Sequence, residues 1–390
     1  MRGVTVHGHV APGFERVAEA FERNVVERGE LGAAFAAVRD GRMVVDLWGG
    51  LADRASGRPW REDTLQLVFS GTKGLVATCL LLLIERGELE LEAPVCSYWP
   101  EFAAAGKADI TVREVVAHTA GLPGIRTSLV SADLLDDRRM AALLAAQEPY
   151  PELRGTLCYH ARTWGWLCGE LVRRAAGCSV GAFFAREVAR PLGLELWIGL
   201  PAELEPRVST LELPPGYGGR SPALARRRAD PVRVAIYDNP PGVWTRASFP
   251  WNDAAFHAAE VPSTNAIGTA RSIARLYGCL ARGGELDGVR LLAPATVERG
   301  RQPLASGEEP FHRVPFAFGI GFGVQRTLGE DFRPLGPPAS AFGATGSGGS
   351  AHGAWPEQRV GFSYAMNLMR DERLDARPAA LLAALHACVV

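Results

Sequence analysis

Ser70 and Lys73 stand three residues apart at the head of an apolar run, F-S-G-T-K-G-L-V-A-T-C-L-L-L-L-I. On a helix that spacing puts both side chains on one face. A lysine turned toward an apolar interior loses hydration, so its pKa falls and it can accept a proton near neutral pH. A serine hydroxyl is a weak nucleophile and needs such an acceptor. Arginine could not serve, because it does not deprotonate in proteins. The residue choice is therefore pointed: of 42 basic residues only Lys73 and Lys107 are lysines. The start of the helix adds unpaired N–H groups and partial positive charge, which suit an oxyanion. The pair alone also fits a helix cap followed by a snorkelling surface lysine.

Two further stretches could complete an acyl-transfer site. Tyr159, in G-T-L-C-Y-H-A-R-T-W-G-W-L, precedes an amphipathic pattern. A phenol at a loop-to-helix junction can project into a cleft, although an aromatic anchor for the helix fits the same text. The glycine-rich F-G-A-T-G-S-G-G-S at 342–350 lets a substrate approach backbone closely, and the Ser347 N–H could pair with that of Ser70 as oxyanion donors. A plain hairpin or bulge reads the same way. His160, beside Tyr159, could also face the cleft, and His118 in A-H-T-A-G-L is placed to pin a turn. The eight histidines show no metal-ligand spacing, and no G-x-S-x-G elbow occurs.

The elements that must position these residues can be read from periodicity. Phe14, Val17, Phe21 and Val25 mark one face of a helix over 12–28. Two apolar runs joined by Asp40-Gly41 predict a β-hairpin. Residues 71–86 read as a buried helix ended by Gly87, and further helices are expected at 111–117, 132–146, 161–176, 180–190, 267–282 and 376–388. Strand patterns return in F-G-I-G-F-G-V-Q, A-H-G-A-W and R-V-G-F-S-Y-A-M-N. The expected fold is α/β of the α+β type: an antiparallel sheet built from both chain ends and flanked by helices, with a mainly helical insertion. Residues 1–68 and 308–390 would form the mixed α/β domain and 69–307 the helical one, with the active-site cleft between them. The Pro-, Gly- and Arg-rich stretch at 200–262 reads as a functional loop or lid.

Composition excludes several function classes. A 390-residue chain with 47% hydrophobic and 22% charged residues and a net charge of −1 is an ordinary globular protein. That balance offers nothing to nucleic acid or to an anionic membrane, and A-R-R-R-A-D at 225–230 reads as a solvated loop. The apolar run at 75–84 is too short to cross a bilayer. Seven cysteines without C-x-x-C spacing, and an N-terminus lacking a signal-peptide core, predict a reduced, cytoplasmic protein.

In order along the chain, S-x-x-K, Y-x-x and a glycine-rich strand near the C-terminus resemble the serine β-lactamase and penicillin-binding-protein superfamily. The chain looks most like the branch holding class C β-lactamases, family VIII carboxylesterases and related acyltransferases. V-R-E-V-V-A-H-T-A-G-L-P, N-A-I-G-T-A-R-S-I-A-R-L-Y and V-D-L-W-G-G carry the likeness over nearly the whole length. The resemblance implies that Ser70 is acylated, that Lys73 and Tyr159 share proton transfer, and that the N–H groups of Ser70 and Ser347 hold the oxyanion. It implies no metal and no organic cofactor.

This sequence departs from the family pattern at two places. Ala161 stands where the family has an amide or hydroxyl, and Ala344 stands before Thr345 and Gly346 where the family has Lys or His. Losing that cation disfavours an anionic β-lactam or D-alanyl peptide and favours an uncharged small-molecule ester, unless His160 replaces it. The expected function is thus a serine carboxylesterase or an acyltransferase passing the acyl group to an alcohol or amine. A β-lactamase or D,D-peptidase is one alternative, and a catalytically silent binding protein on the same fold is another.

Overall fold

The protein is described by a computed structural model covering residues 5–214, 230–246, 248–329, 332–371 and 374–390. Among these, a ten-stranded antiparallel sheet joins the two chain ends. Across it the order is β1 (Val6–Val10), β3 (Arg42–Asp53), β2 (Gly32–Arg39), β15 (Val360–Met366), β14 (Ser350–Trp355), β13 (Phe342–Gly346), β12 (Gly323–Val324), β11 (Pro315–Phe318) and β10 (Ala305–Glu308). The short β4 (Arg58–Pro59) pairs with β3. The predicted hairpin is β2–β3, turned at Asp40 and Gly41, whose φ values of 51° and 83° match the tight turn that a twisted strand pair prefers. The centre of the sheet pairs β2 with β15, the N-terminal and C-terminal segments, through Gly361↔Val38 to Met366↔Ala33.

Period-2 alternation on β2 feeds both faces of the sheet. Ala33, Phe35 and Ala37 pack with Val17, Phe21, Trp355, Phe362 and Leu381 under the helices Glu15–Val26 and Ala376–Ala387. Ala36 and Val38 face the larger core, which contains Ile273 and Ala274 of the helix Ala270–Ala281. That helix lies within 69–307 yet packs on β2, β14 and β15. The terminal helix is locked by a buried polar cluster: Arg377 donates to Glu30 Oε1 (2.6 Å) and Asp375 Oδ2 (2.7 Å), and Tyr364 donates to Glu30.

Between the chain ends lie the expected helices, including Thr72–Glu85, Val112–Val116, Asp137–Ala146 and Thr163–Ala176. A small sheet of β5 (Gln66–Leu67), β7 (Ala266–Gly268) and β6 (Leu196–Ile198) ties the segment leading into Ser70 to the rest, and β8 (Glu285–Leu286) pairs with β9 (Val289–Arg290). The 200–262 stretch is more regular than its composition suggests. Its described parts hold the helices Pro231–Tyr237 and Ala254–Ala258, with Trp251 and His257 buried. Residues 215–229, and with them most of A-R-R-R-A-D, lie outside the described residues.

Candidate active site

Ser70 sits in a single 3₁₀ turn, Phe69–Gly71, that runs into the helix Thr72–Glu85. Every residue of that helix from Thr72 to Ile84 is buried, as the unbroken apolar run requires. The turn is held from two directions. Val68 N donates to Ala266 O (3.0 Å), while Thr72 Oγ1 donates to Phe69 O (2.6 Å) and accepts from Ala266 N (2.8 Å). Phe69 carries a φ of 45°, a costly conformation for an aromatic residue, immediately before Ser70. Such strain persists only where the surroundings over-determine it.

Lys73 is 2% exposed and reaches three oxygens: Ser70 Oγ (3.2 Å), Ala161 O (2.8 Å) and Ser263 O (3.2 Å). Burial pushes its pKa down to about 7. A neutral amine has two N–H bonds and one lone pair. Two carbonyls and one hydroxyl match that inventory: the N–H groups donate to Ala161 and Ser263, and the lone pair faces the Ser70 proton. Ala161 stands where the family has an amide or hydroxyl side chain. Its contribution is the backbone carbonyl, which any residue supplies.

Tyr159 Oη donates to Ser70 Oγ at 2.9 Å, and Lys73 Nζ lies 4.9 Å from the centre of the phenol ring. The placement of this tyrosine is set by its backbone. Three consecutive amides are pinned: Cys158 N to His118 O (3.1 Å), Tyr159 N to Glu309 Oε1 (3.2 Å) and His160 N to His118 Nδ1 (3.1 Å). The ring is packed by His118 and Phe318, with centroids at 5.1 and 5.8 Å. His118 thus pins the turn that carries Tyr159, and it does so from a positive φ of 62°.

His160 does not face the site. It is buried, its Nε2 accepts from Leu122 N (3.1 Å), and its Nδ1 bonds Cys158 O (2.6 Å). Burial pushes its pKa down to about 4, so it is neutral and cannot replace the missing strand cation. The cross-strand partner of Ala344 is His352, whose Nδ1 bonds Ser363 Oγ (2.8 Å) and whose pKa burial pushes down to about 3. Both imidazoles are uncharged at neutral pH.

The glycine-rich segment forms β13, and its end packs against the turn that bears Ser70. A Cβ on Gly346 would fall 2.3 Å from Val68 O, so only glycine lets strand and turn meet this closely. Ala344, Thr345 and Ser347 are partly exposed there, as is Ser70. The sequence reading missed Glu309, Ser263 and His352 as residues that buttress the site; the strand pattern A-H-G-A-W located His352 in the sheet but not its place beside the Ser70 turn. No group of three His, Cys, Asp or Glu side chains suited to a metal occurs among the described residues. No described helix is long and apolar enough to cross a membrane.

Comparisons with known proteins bear on the family and the fold. The family described as Beta-lactamase matches residues 17–386. The chain is similar to the esterase/beta-lactamase LipL of Mycobacterium tuberculosis (strain ATCC 25618 / H37Rv), 37% identical over 376 residues, covering 94% of this chain and 83% of the relative. Among solved structures, a family VIII carboxylesterase superposes with a TM-score of 0.89 at 37% identity, over 98% of this chain and 100% of that one. A penicillin-binding protein homolog from Caulobacter crescentus gives a TM-score of 0.88 at 35% identity, with the same coverage of 98% and 100%. Sequence and backbone agree over nearly the full length, and the chain belongs to the beta-lactamase family.

Proposed function

We propose that this protein is a serine carboxylesterase that works through an acyl-enzyme on small, uncharged esters, with transfer of the acyl group to an alcohol or amine as the companion reaction. The observation that carries this reading is the contact of Ser70 Oγ with both Lys73 Nζ and Tyr159 Oη, at 3.2 and 2.9 Å. Lys73, neutral above pH 7 or so, takes the Ser70 proton as Oγ attacks the ester carbonyl carbon. The oxyanion is received by the N–H groups of Ser70 and Ser347. Tyr159 protonates the departing alkoxide, and Lys73 returns the proton to Tyr159. Water, an alcohol or an amine then attacks the acyl group and gives up a proton to a nearby base, and Ser70 Oγ recovers its proton from Tyr159.

Ala344 and the neutral His352 support an uncharged acyl donor, because neither offers a positive charge to a substrate carboxylate. Thr345 and Gly346 would line the acyl donor from β13. The name of LipL couples esterase with β-lactamase, so a β-lactam is the second donor to try. Seven free cysteines, four of them buried, support a reducing compartment such as the cytoplasm.

The test is turnover of a p-nitrophenyl short-chain ester, labelling by a fluorophosphonate, and mapping of the added acyl mass. Acyl mass on Ser70 is expected. Neither turnover nor labelling would leave a silent binding protein on this fold, and an adduct on another residue would contradict the role of Ser70.

A further inference from the structure

Tyr159 is held from the far side by a loop that the acylation chemistry above does not use. Between β10 and β11, Glu309 is 0% exposed, whereas its sequence neighbour Glu308 faces solvent. Its Oε1 accepts from Tyr159 N (3.2 Å), and its Oε2 accepts from Phe311 N (2.9 Å), His312 N (2.5 Å) and His312 Nδ1 (2.9 Å). A buried carboxylate is costly unless its oxygens are satisfied, and here four donors converge on it. The hydrogen bonds from His312 hold its pKa below the usual range despite burial, so it is ionised.

Glu309 thereby sets the tautomer of His312. An imidazole whose Nδ1–H points at a carboxylate carries its lone pair on Nε2. Nδ1 also meets the Tyr237 hydroxyl (3.2 Å), while Nε2 has no hydrogen-bond partner among the described residues. The His312 side chain is 37% exposed, and its ring stands edge-on to Tyr159 with centroids 6.1 Å apart. Phe316, partly exposed, contacts both rings, at 5.6 Å from each. A carboxylate-oriented imidazole with a free, solvent-facing Nε2 thus flanks the phenol that touches the nucleophile.

We propose that His312, oriented by Glu309, is the general base of the second half-reaction, receiving the proton of the acyl acceptor. This rests on the acyl-enzyme reading above. The acceptor, a water, alcohol or amine bound between Nε2 and the acyl carbonyl, forms a bond to the carbonyl carbon as its proton moves to Nε2. The bond from that carbon to Ser70 Oγ then breaks, Oγ takes a proton from Tyr159, and the proton on His312 passes through solvent to the Tyr159 phenolate, which restores both groups. Acylation is served by Lys73 and Tyr159 and does not need His312. Glu309 is a positioning residue for both steps, because it also holds the Tyr159 backbone.

The experiment is pre-steady-state hydrolysis of p-nitrophenyl butyrate by the full chain, with the butyryl adduct followed by intact mass. His312→Ala is expected to leave the acylation burst within about twofold of wild type and to slow adduct decay by about a hundredfold. Added imidazole should restore part of the decay rate, a rescue that a packing defect would not show. Glu309→Gln should slow both phases. Adduct decay at the wild-type rate in His312→Ala, or slow decay that imidazole does not rescue, overturns the inference. Absence of any adduct in wild type would instead overturn the acyl-enzyme reading itself.

Discussion

Lys73 and Lys107 are the only lysines of the chain, and both are buried, at 2% and 0% exposure. Burial lowers the pKa of each. Their surroundings differ by one atom type. Lys107 Nζ donates to three carbonyls, Ala104 O (2.7 Å), Ala145 O (2.9 Å) and Gln147 O (2.5 Å). Three acceptors use all three N–H bonds of an ammonium, so this cradle suits the charged form and ties the 104–107 turn to the end of the helix Asp137–Ala146. At Lys73 the third carbonyl is replaced by the Ser70 hydroxyl, which can itself donate. On the proposed mechanism, the same residue type closes a structural joint in one place and supplies a titrating base in the other. Burial is common to both lysines; the partner opposite the third N–H position is what differs.

Substitutions can break that contrast, beginning with the largest effect. Ser70→Ala should remove acyl-enzyme formation altogether while leaving the melting temperature near that of wild type, as followed by intact mass and thermal melting. Lys73→Arg keeps the charge but not the proton acceptor, and kcat/KM for a p-nitrophenyl ester should fall by about a thousandfold. Near-normal turnover would show that Lys73 acts only as a cation. Tyr159→Phe should cost about a hundredfold in the same assay, since Lys73 remains to accept the Ser70 proton. Lys107→Met is expected to change kcat/KM least, within about threefold. It removes the donor to three carbonyls, of which that of Ala145 is buried, and should destabilise the fold by about 2 kcal/mol in urea unfolding. If Lys107→Met instead abolished activity at full stability, the division between joint and base would be wrong.

The lysine contrast also marks what could be read from the sequence. Scarcity of lysine flagged Lys73, and the i, i+3 spacing placed it on Ser70 without further help. The same scarcity pointed at Lys107, but A-A-A-G-K-A-D has no apolar periodicity, and its three carbonyl partners come from backbone that no motif encodes. The hairpin at Asp40-Gly41, the buried helix and the strands from both chain ends were legible because local periodicity and turn chemistry agree with the final fold. Tyr159 was legible only through its order between S-x-x-K and the glycine-rich strand; its backbone clamp depends on His118 and Glu309, far off in the chain. The direction of His160 stayed open in the sequence because adjacency to Tyr159 does not fix it; its ring turns inward to satisfy Leu122 N and Cys158 O. Glu308 and Glu309 are indistinguishable as text, yet one is solvated and the other buried, since only the fold decides which amides meet a carboxylate.

The central claim is that desolvation makes Lys73 a neutral base at working pH, and the pH dependence of the acylation burst tests it most directly. Because the folded pKa is lowered to about 7, the active form dominates above that value and is lost as pH falls through it. The burst rate constant should be level from about pH 8 upward and fall about tenfold per unit well below pH 7. A burst rate flat from pH 5 to 9, or one rising only near the ordinary lysine pKa, would contradict the account.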